Sequence, residues 1–293
     1  GDILVTYALV AMIIFFFRKW SPRRQIVVGI LLLAVSTGLQ LFTAQGLTSF
    51  PPEVTADLVA EWQPDAAELA WETAVYTATY ADTFAHRIPA SLSMNTMSFL
   101  FWGFWRAGGL MLIGMALYKT GVLTAQRSNR FYIGMAVIGF LVGTPLILTG
   151  MQRNFAAGWS FEYARFIGVQ WNYWGSLGIS AAYIALVMLA SKSIFLQKWL
   201  APFAAVGRTA LSNYLLQTVL ATTLFYGYGF GLFGDVSRVG QLGIVLGIWL
   251  VQLVSSPLWL RRFRFGPAEW VWRSLTYGRL QPMQPKAPQP QTV

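Results

Sequence analysis

An all-α, polytopic membrane protein with about seven transmembrane helices is the fold that three observations predict. Charged residues make up only 11% of the chain and hydrophobic residues 56%, against roughly a quarter charged in an ordinary globular chain. The apolar residues gather in runs close to the roughly 20 residues that an α-helix needs to cross hydrocarbon. The basic residues stand between those runs, mostly on alternate connections. The 13 Trp, 12 Tyr and 21 Phe suit helix ends at a bilayer surface, where amphipathic rings are favoured. This composition excludes a soluble globular protein. The runs also lack the ten-residue alternation of a transmembrane barrel.

Taken in order, the runs are Ile3 to Phe17, Ile26 to Leu47, Phe99 to Tyr118, Phe131 to Met151, Trp171 to Ser191, Thr209 to Tyr228 and Leu242 to Leu260. The first is short, and Gly1-Asp2 precede it without a basic leader or a small-residue cleavage site, so it does not read as a signal peptide. The chain reads instead as the C-terminal part of a longer protein. Residues 1–280 are expected to form one transmembrane domain. With the first run entering from outside, sixteen Lys and Arg fall on inner segments and four on outer ones, with Arg106 left inside a run. That bias places the C-terminus in the cytoplasm. It also explains the net charge of +10 as topology and contact with anionic lipid rather than nucleic-acid binding.

Residues 48–98 differ, because they hold Glu53, Asp57, Glu61, Asp65, Glu68, Glu72 and Asp82, seven of the eleven acids. Pro51-Pro52 and Pro64 punctuate two stretches of helical spacing, predicting two short amphipathic helices on an outer acidic loop. Residues 193–206 predict a helix lying along the inner interface, with Gly207 opening the sixth run. Gly266-Pro267 begins another short helix anchored by Trp270, Trp272 and Tyr277. The run QPMQPKAPQPQTV at 281–293 predicts a disordered cytoplasmic tail.

The residue inventory limits the chemistry. With no Cys and one His, disulfide frameworks, Cys-bound zinc, iron–sulfur clusters, thiol nucleophiles and His clusters are all excluded. Neither a metal nor a tightly bound cofactor is expected. Ionisable groups inside spans are costly, which makes Arg106 in FWGFWRAGG the first functional candidate, and Gly108-Gly109 beside it allow close approach of a helix or ligand. Asp2, at the mouth of the first run, is a candidate general base or a helix cap. His86 lies in the outer loop beside Arg87, where a surface role competes with a catalytic one. The sixth run carries Asn213 and Gln217 on one face with Tyr214 and Thr218 beside them. Such a stripe either lines a cavity or glues helices together. The following GYGFGLFG lacks the strand, the Lys and the spacing of a phosphate loop.

Two stretches are diagnostic: GRTALSNYLLQTVLATTLFYGYGFGLFG and WLVQLVSSPLWLRRFRFGPAEWVWRSLTYGRLQP. Together with GDILVTYAL and FWRAGGLMLIGMALYKTGVL further up, they resemble the bacterial domain-of-unknown-function 418 family, the YeiB-like membrane proteins. Members of that family have further helices before the GDIL segment, including an Arg-Gly-containing first helix and a His shortly upstream; neither occurs here. The resemblance implies kinship with polytopic acyltransferases, which move an acyl group from a cytoplasmic acyl-CoA co-substrate to an acceptor hydroxyl or amine at the outer side. On that reading Asp2 and Tyr7 sit at the outer mouth of the site. Arg106, Asn213, Tyr214 and Gln217 line its cavity, Arg208 meets the CoA phosphates, and His86 is a further candidate base outside the family pattern. The competing expectations are a small-solute transporter, for which Pro145 would break the fourth run without a matching second half, and a non-catalytic membrane assembly partner. Acceptor identity and oligomeric state are not readable from the residues.

Overall fold

Five helical runs among the described residues are long and apolar enough to cross a membrane: Pro22–Gly46, Tyr80–Lys119, Asn129–Ala156, Phe161–Lys192 and Arg238–Arg262. They belong to a computed structural model that describes residues 3–284, in which every regular element is helical. The chain is an all-α polytopic membrane protein. Of the seven expected spans, two are shorter than that criterion requires: α1 (Ile3–Ile14) has 12 residues and α11 (Ala210–Phe225) has 16.

The chain divides into two compact units, Gly1–Glu68 with His86–Ser193 and Leu69–Ala85 with Ile194–Val293. The first holds α1, α2 (Pro22–Gly46) and α3 (Pro52–Trp62), then α6 (Phe104–Lys119), α7 (Asn129–Ala156), the short α8 (Phe161–Tyr163) and α9 (Val169–Lys192). The acidic helices α3 and α4 (Ala66–Tyr76) fall on the segments that their spacing predicts. A third helix, α5 (Tyr80–Ser93), lies where an irregular loop was expected. It continues through a π-helical stretch, Met94–Gly103, into α6. His86 therefore stands on a helix rather than in a loop.

Two close crossings organise this unit. A Cβ built on Gly29 of α2 would lie 2.8 Å from the carbonyl oxygen of Gly109 on α6, and one on Gly109 would lie 2.7 Å from that of Gly29. Gly139 and Gly143 of α7 meet Gly178 and Gly175 of α9 in the same way, at 2.5 and 2.7 Å. Without water to drive association, helices in lipid gain by dispersion and close backbone approach, which glycine permits. Pro145 does not break its helix, because α7 runs through it.

The two ends of the unit differ. At one end Lys119 Nζ donates to the carbonyls of Arg18 and Trp20 at 2.5 and 2.7 Å, and Lys192 Nζ donates to Arg127 O at 2.6 Å. Three basic connections thus share one end. At the other, Leu47, Phe161 and Phe166 form a small core against Leu58 and Val59 of α3, and Trp62 Nε1 donates to Trp159 O at 2.9 Å.

The second unit contains α10 (Ile194–Arg208), α11, α12 (Arg238–Arg262) and α13 (Pro267–Thr276). Helix α10 extends through Gly207, and the break comes at Thr209. Phe195, Trp199 and Phe203, spaced four apart, are 71, 70 and 60% exposed, as an interfacial helix requires. After α13 the chain turns back: Trp270 Nε1 donates to Gln281 O at 2.7 Å and Arg264 N to Met283 O at 2.8 Å. The first residues of the expected tail are thereby pinned, and its remainder, 285–293, lies outside the described residues.

Candidate functional site

Arg106 is the third residue of α6, three residues after the π-helical stretch ends, and such local widening often accompanies functional sites. Its guanidinium is half-buried. Nη1 donates to Tyr173 O at 3.2 Å and Nη2 to Ser176 Oγ at 3.1 Å. The charge also lies 4.2 Å from the centroid of the Tyr173 ring. These contacts from α9 offset the ~2.5–3.5 kcal/mol that insertion scales assign to a cation in a span. Tyr173 is held in turn, because it is buried and its hydroxyl donates to Leu33 O of α2 at 3.2 Å. Nearby, Trp174 Nε1 donates to Thr37 Oγ1, which donates to Gln170 Oε1. A polar seam thus joins α2 and α9 behind the arginine.

In front of it lies a cavity of about 500 Å³, lined among others by Tyr7 and Thr6 of α1, by Asn95, Ser98 and Trp102 of the π-helical stretch, and by Arg106. Most of the wall is apolar, with a few convergent polar groups, the usual constitution of a small-molecule site. A guanidinium carries five N–H donors; two are used on α9, so others remain for a ligand. Lys119 is thirteen residues further along α6, about 20 Å away at the helical rise, so Arg106 sits toward the end of the unit opposite its basic connections.

The structure therefore brings together two residues that the sequence nominates, Tyr7 and Arg106. Asp2 lies outside the described residues, although Ile3, the residue after it, lines the cavity. His86 is half-buried on α5 but does not belong to that lining. Asn95 and the α9 pair Tyr173 and Ser176 escaped the sequence reading. The only trace of the latter is a Tyr and a Ser three apart within an apolar run.

The polar stripe of α11 is organised differently. Asn213 is 7% exposed; its Nδ2 donates to Thr209 Oγ1 and Ser256 Oγ, both at 3.0 Å. Gln252 of α12 donates to Asn213 O at 2.9 Å and accepts from Gln217 Nε2 at 2.9 Å. These amides hold α11 to α12. Asn213 also borders a second cavity of about 370 Å³ with Ser212, Ser255 and Trp259, whereas Gln217 and Tyr214 do not. Arg208 is exposed, and its Nη2 donates to Arg264 O at 3.4 Å. Glu269 of α13, not singled out by sequence, accepts from Leu211 N, Ser212 N and Ser212 Oγ at 2.7, 3.1 and 2.5 Å, capping the start of α11 from outside the helix. The glycine-rich loop uses its amides on its own chain, as in Phe230 N to Thr223 O at 2.8 Å and Phe233 N to Phe225 O at 2.9 Å.

Comparisons with known proteins agree on one family. The family model "Protein of unknown function (DUF418)" matches residues 117–279, from the end of α6 through α13. The chain is 32% identical over 279 residues to "Uncharacterized protein YeiB" of Escherichia coli (strain K12), covering 94% of this chain and 70% of that one. It is 30% identical over 302 residues to "Uncharacterized protein YxaH" of Bacillus subtilis (strain 168), covering 98% and 68%. A 39.9 kDa uncharacterized protein encoded in the amylase 3′ region of Bacillus acidopullulyticus is 34% identical over 136 residues, 46% of this chain and 38% of that protein. No solved structure matches. With the family model spanning more than half of its length and two relatives aligned along nearly all of it, this chain belongs to the DUF418 family of YeiB-like bacterial proteins.

Proposed function

We propose that the protein is a membrane acyltransferase of the bacterial inner membrane, moving an acyl group from a cytoplasmic acyl-CoA to an outer-side acceptor hydroxyl or amine. The observation that carries this reading is Arg106, a half-buried guanidinium anchored by α9 and bordering a largely apolar cavity beside Tyr7. Attack on a thioester develops negative charge on the carbonyl oxygen, and fixed N–H donors in a water-poor site stabilise that charge. The apolar wall suits an acyl chain, and the Tyr7 hydroxyl and Asn95 amide offer polar contacts to an acceptor. Asp2 remains the nearest candidate base in sequence. The basic connections of the first unit face the cytoplasm on this reading, and the C-terminus does likewise.

The test is transfer of label from acyl-CoA in membranes carrying this chain, run in parallel with the E. coli relative. Loss of one oxyanion donor costs about 10²–10³ in rate, so Arg106→Leu should slow transfer by about that factor and Arg106→Lys should retain more of it. Transfer by Arg106→Leu at the unsubstituted rate overturns the role of the guanidinium, and no transfer by either this chain or the E. coli relative overturns the acyltransferase reading. Small-solute transport is the second reading. It is favoured by the departure from α geometry at Met94–Gly103, and substrate uptake that needs no acyl-CoA would replace the first.

A further inference from the structure

A further concavity lies at the basic end of the first unit, where α1 turns into α2. Trp20, Arg23, Arg24, Val27 and Val28 line an open groove of about 480 Å³ there, with both arginines exposed. The turn is rigidly held. The carbonyl of Phe17 accepts from Trp20 N at 3.1 Å and from Nε2 of the fully buried Gln25 at 3.0 Å. Lys119 Nζ bridges the carbonyls of Arg18 and Trp20, and the Trp20 ring packs on Phe17 at 4.5 Å between centroids. Among the described residues no carboxylate meets Arg23 or Arg24, and α2 has no acid in its first turn and no side-chain cap from Ser21. Two guanidiniums thus share a wall with an indole, and Val27, 57% exposed, begins the apolar face of a membrane span one turn further along.

We propose that this concavity binds the phosphate of an anionic phospholipid, with Arg23 and Arg24 on the phosphodiester, Trp20 at the interfacial level and Val27 and Val28 against the first acyl carbons. The shared chemistry is recognition of a phosphate by arginine. A lipid fits better than a soluble phosphate compound because the apolar wall starts within one helical turn, about 5–6 Å, of the arginines. A phospholipid carries its apolar part that close to its phosphate; a coenzyme A phosphate is separated from the acyl group by a long polar arm. The site does not depend on the acyltransferase reading.

Native mass spectrometry of the full chain released from detergent, titrated with phosphatidylglycerol or phosphatidylcholine, tests it. One phosphatidylglycerol should be retained preferentially. Each basic residue near an anionic surface contributes about 1 kcal/mol, so Arg23→Gln with Arg24→Gln should lower its affinity about tenfold or more. The pair Arg23→Lys with Arg24→Lys keeps the charge and should retain most of the binding, separating loss of the site from loss of the fold. Unchanged retention by a folded Gln pair, equal retention of phosphatidylcholine, or displacement of the lipid by millimolar inorganic phosphate or coenzyme A would each overturn the assignment.

Discussion

Asn213 carries both a side-chain and a main-chain link between α11 and α12, to Ser256 and from Gln252. Interhelical hydrogen bonds in membranes average about 0.6 kcal/mol and reach about 1.7. Asn213→Leu removes the bonds that Nδ2 donates to Val206 O, Thr209 Oγ1 and Ser256 Oγ and strands Ser256 Oγ, so it should destabilise the protein by about 1–2 kcal/mol. Gln217→Leu loses one half-buried bond and should cost less, about 0.6 kcal/mol. Mild-detergent unfolding with increasing dodecyl sulfate measures both; the order reversed would mean that the stripe does not act through α12. The stripe itself was legible, since Asn213 and Gln217 at i, i+4 must share a face. Its partners were not, because Gln252 and Ser256 come 39 and 43 residues later, in a run that reads as lipid-facing. Arg106 was legible for the opposite reason: a lone charge in a span demands a partner wherever that partner comes from.

Helix-scale features follow the same division between what is local and what is tertiary. Helices α3 and α13 begin where a proline can occupy the first turn, and both starts could be read directly. The continuity of α5 with α6 could not, because Pro89 and the polar stretch around it argue locally for a loop while the neighbouring turns carry the helix through. The π-helical stretch has no local sequence mark either. Gly108-Gly109 did predict a close approach, and Gly109 is the residue that meets Gly29. A Cβ at Gly109 would stand 2.7 Å from the Gly29 carbonyl and 2.9 Å from Leu33 Cγ, so Gly109→Leu must push α2 and α6 apart and should lower the thermal midpoint sharply. Gly114, on the same helix, has nothing within 4 Å of a built Cβ. There, Gly114→Ala should be neutral or stabilise by up to ~0.5–1 kcal/mol through reduced chain entropy. If both substitutions behave alike in a thermal scan, the crossing is not what holds these helices.

At the scale of the whole molecule, the basic connections make orientation testable. Arg18, Trp20, Lys119, Arg127 and Lys192 are linked by hydrogen bonds at one end of the first unit, while α3 and the Trp62–Trp159 contact mark the other. On the proposed reading the linked end faces the cytoplasm, since Lys and Arg near span ends set the side that is retained during insertion. Helix α2, 25 residues long, starts beside Arg24 on the basic side and ends three residues before Ser49, and α6 ends at Lys119 on the basic side. The chain has no cysteine, so a single introduced thiol reports one position without background. Ser49→Cys and Thr124→Cys, both at exposed positions, should therefore react oppositely with a membrane-impermeant thiol reagent in intact, outer-membrane-permeabilised cells, Ser49→Cys labelling and Thr124→Cys remaining protected until the inner membrane is opened. Protection of Ser49→Cys with labelling of Thr124→Cys would invert the unit and move the Arg106 cavity to the cytoplasmic half. Labelling of both from one side would break the α2 span itself.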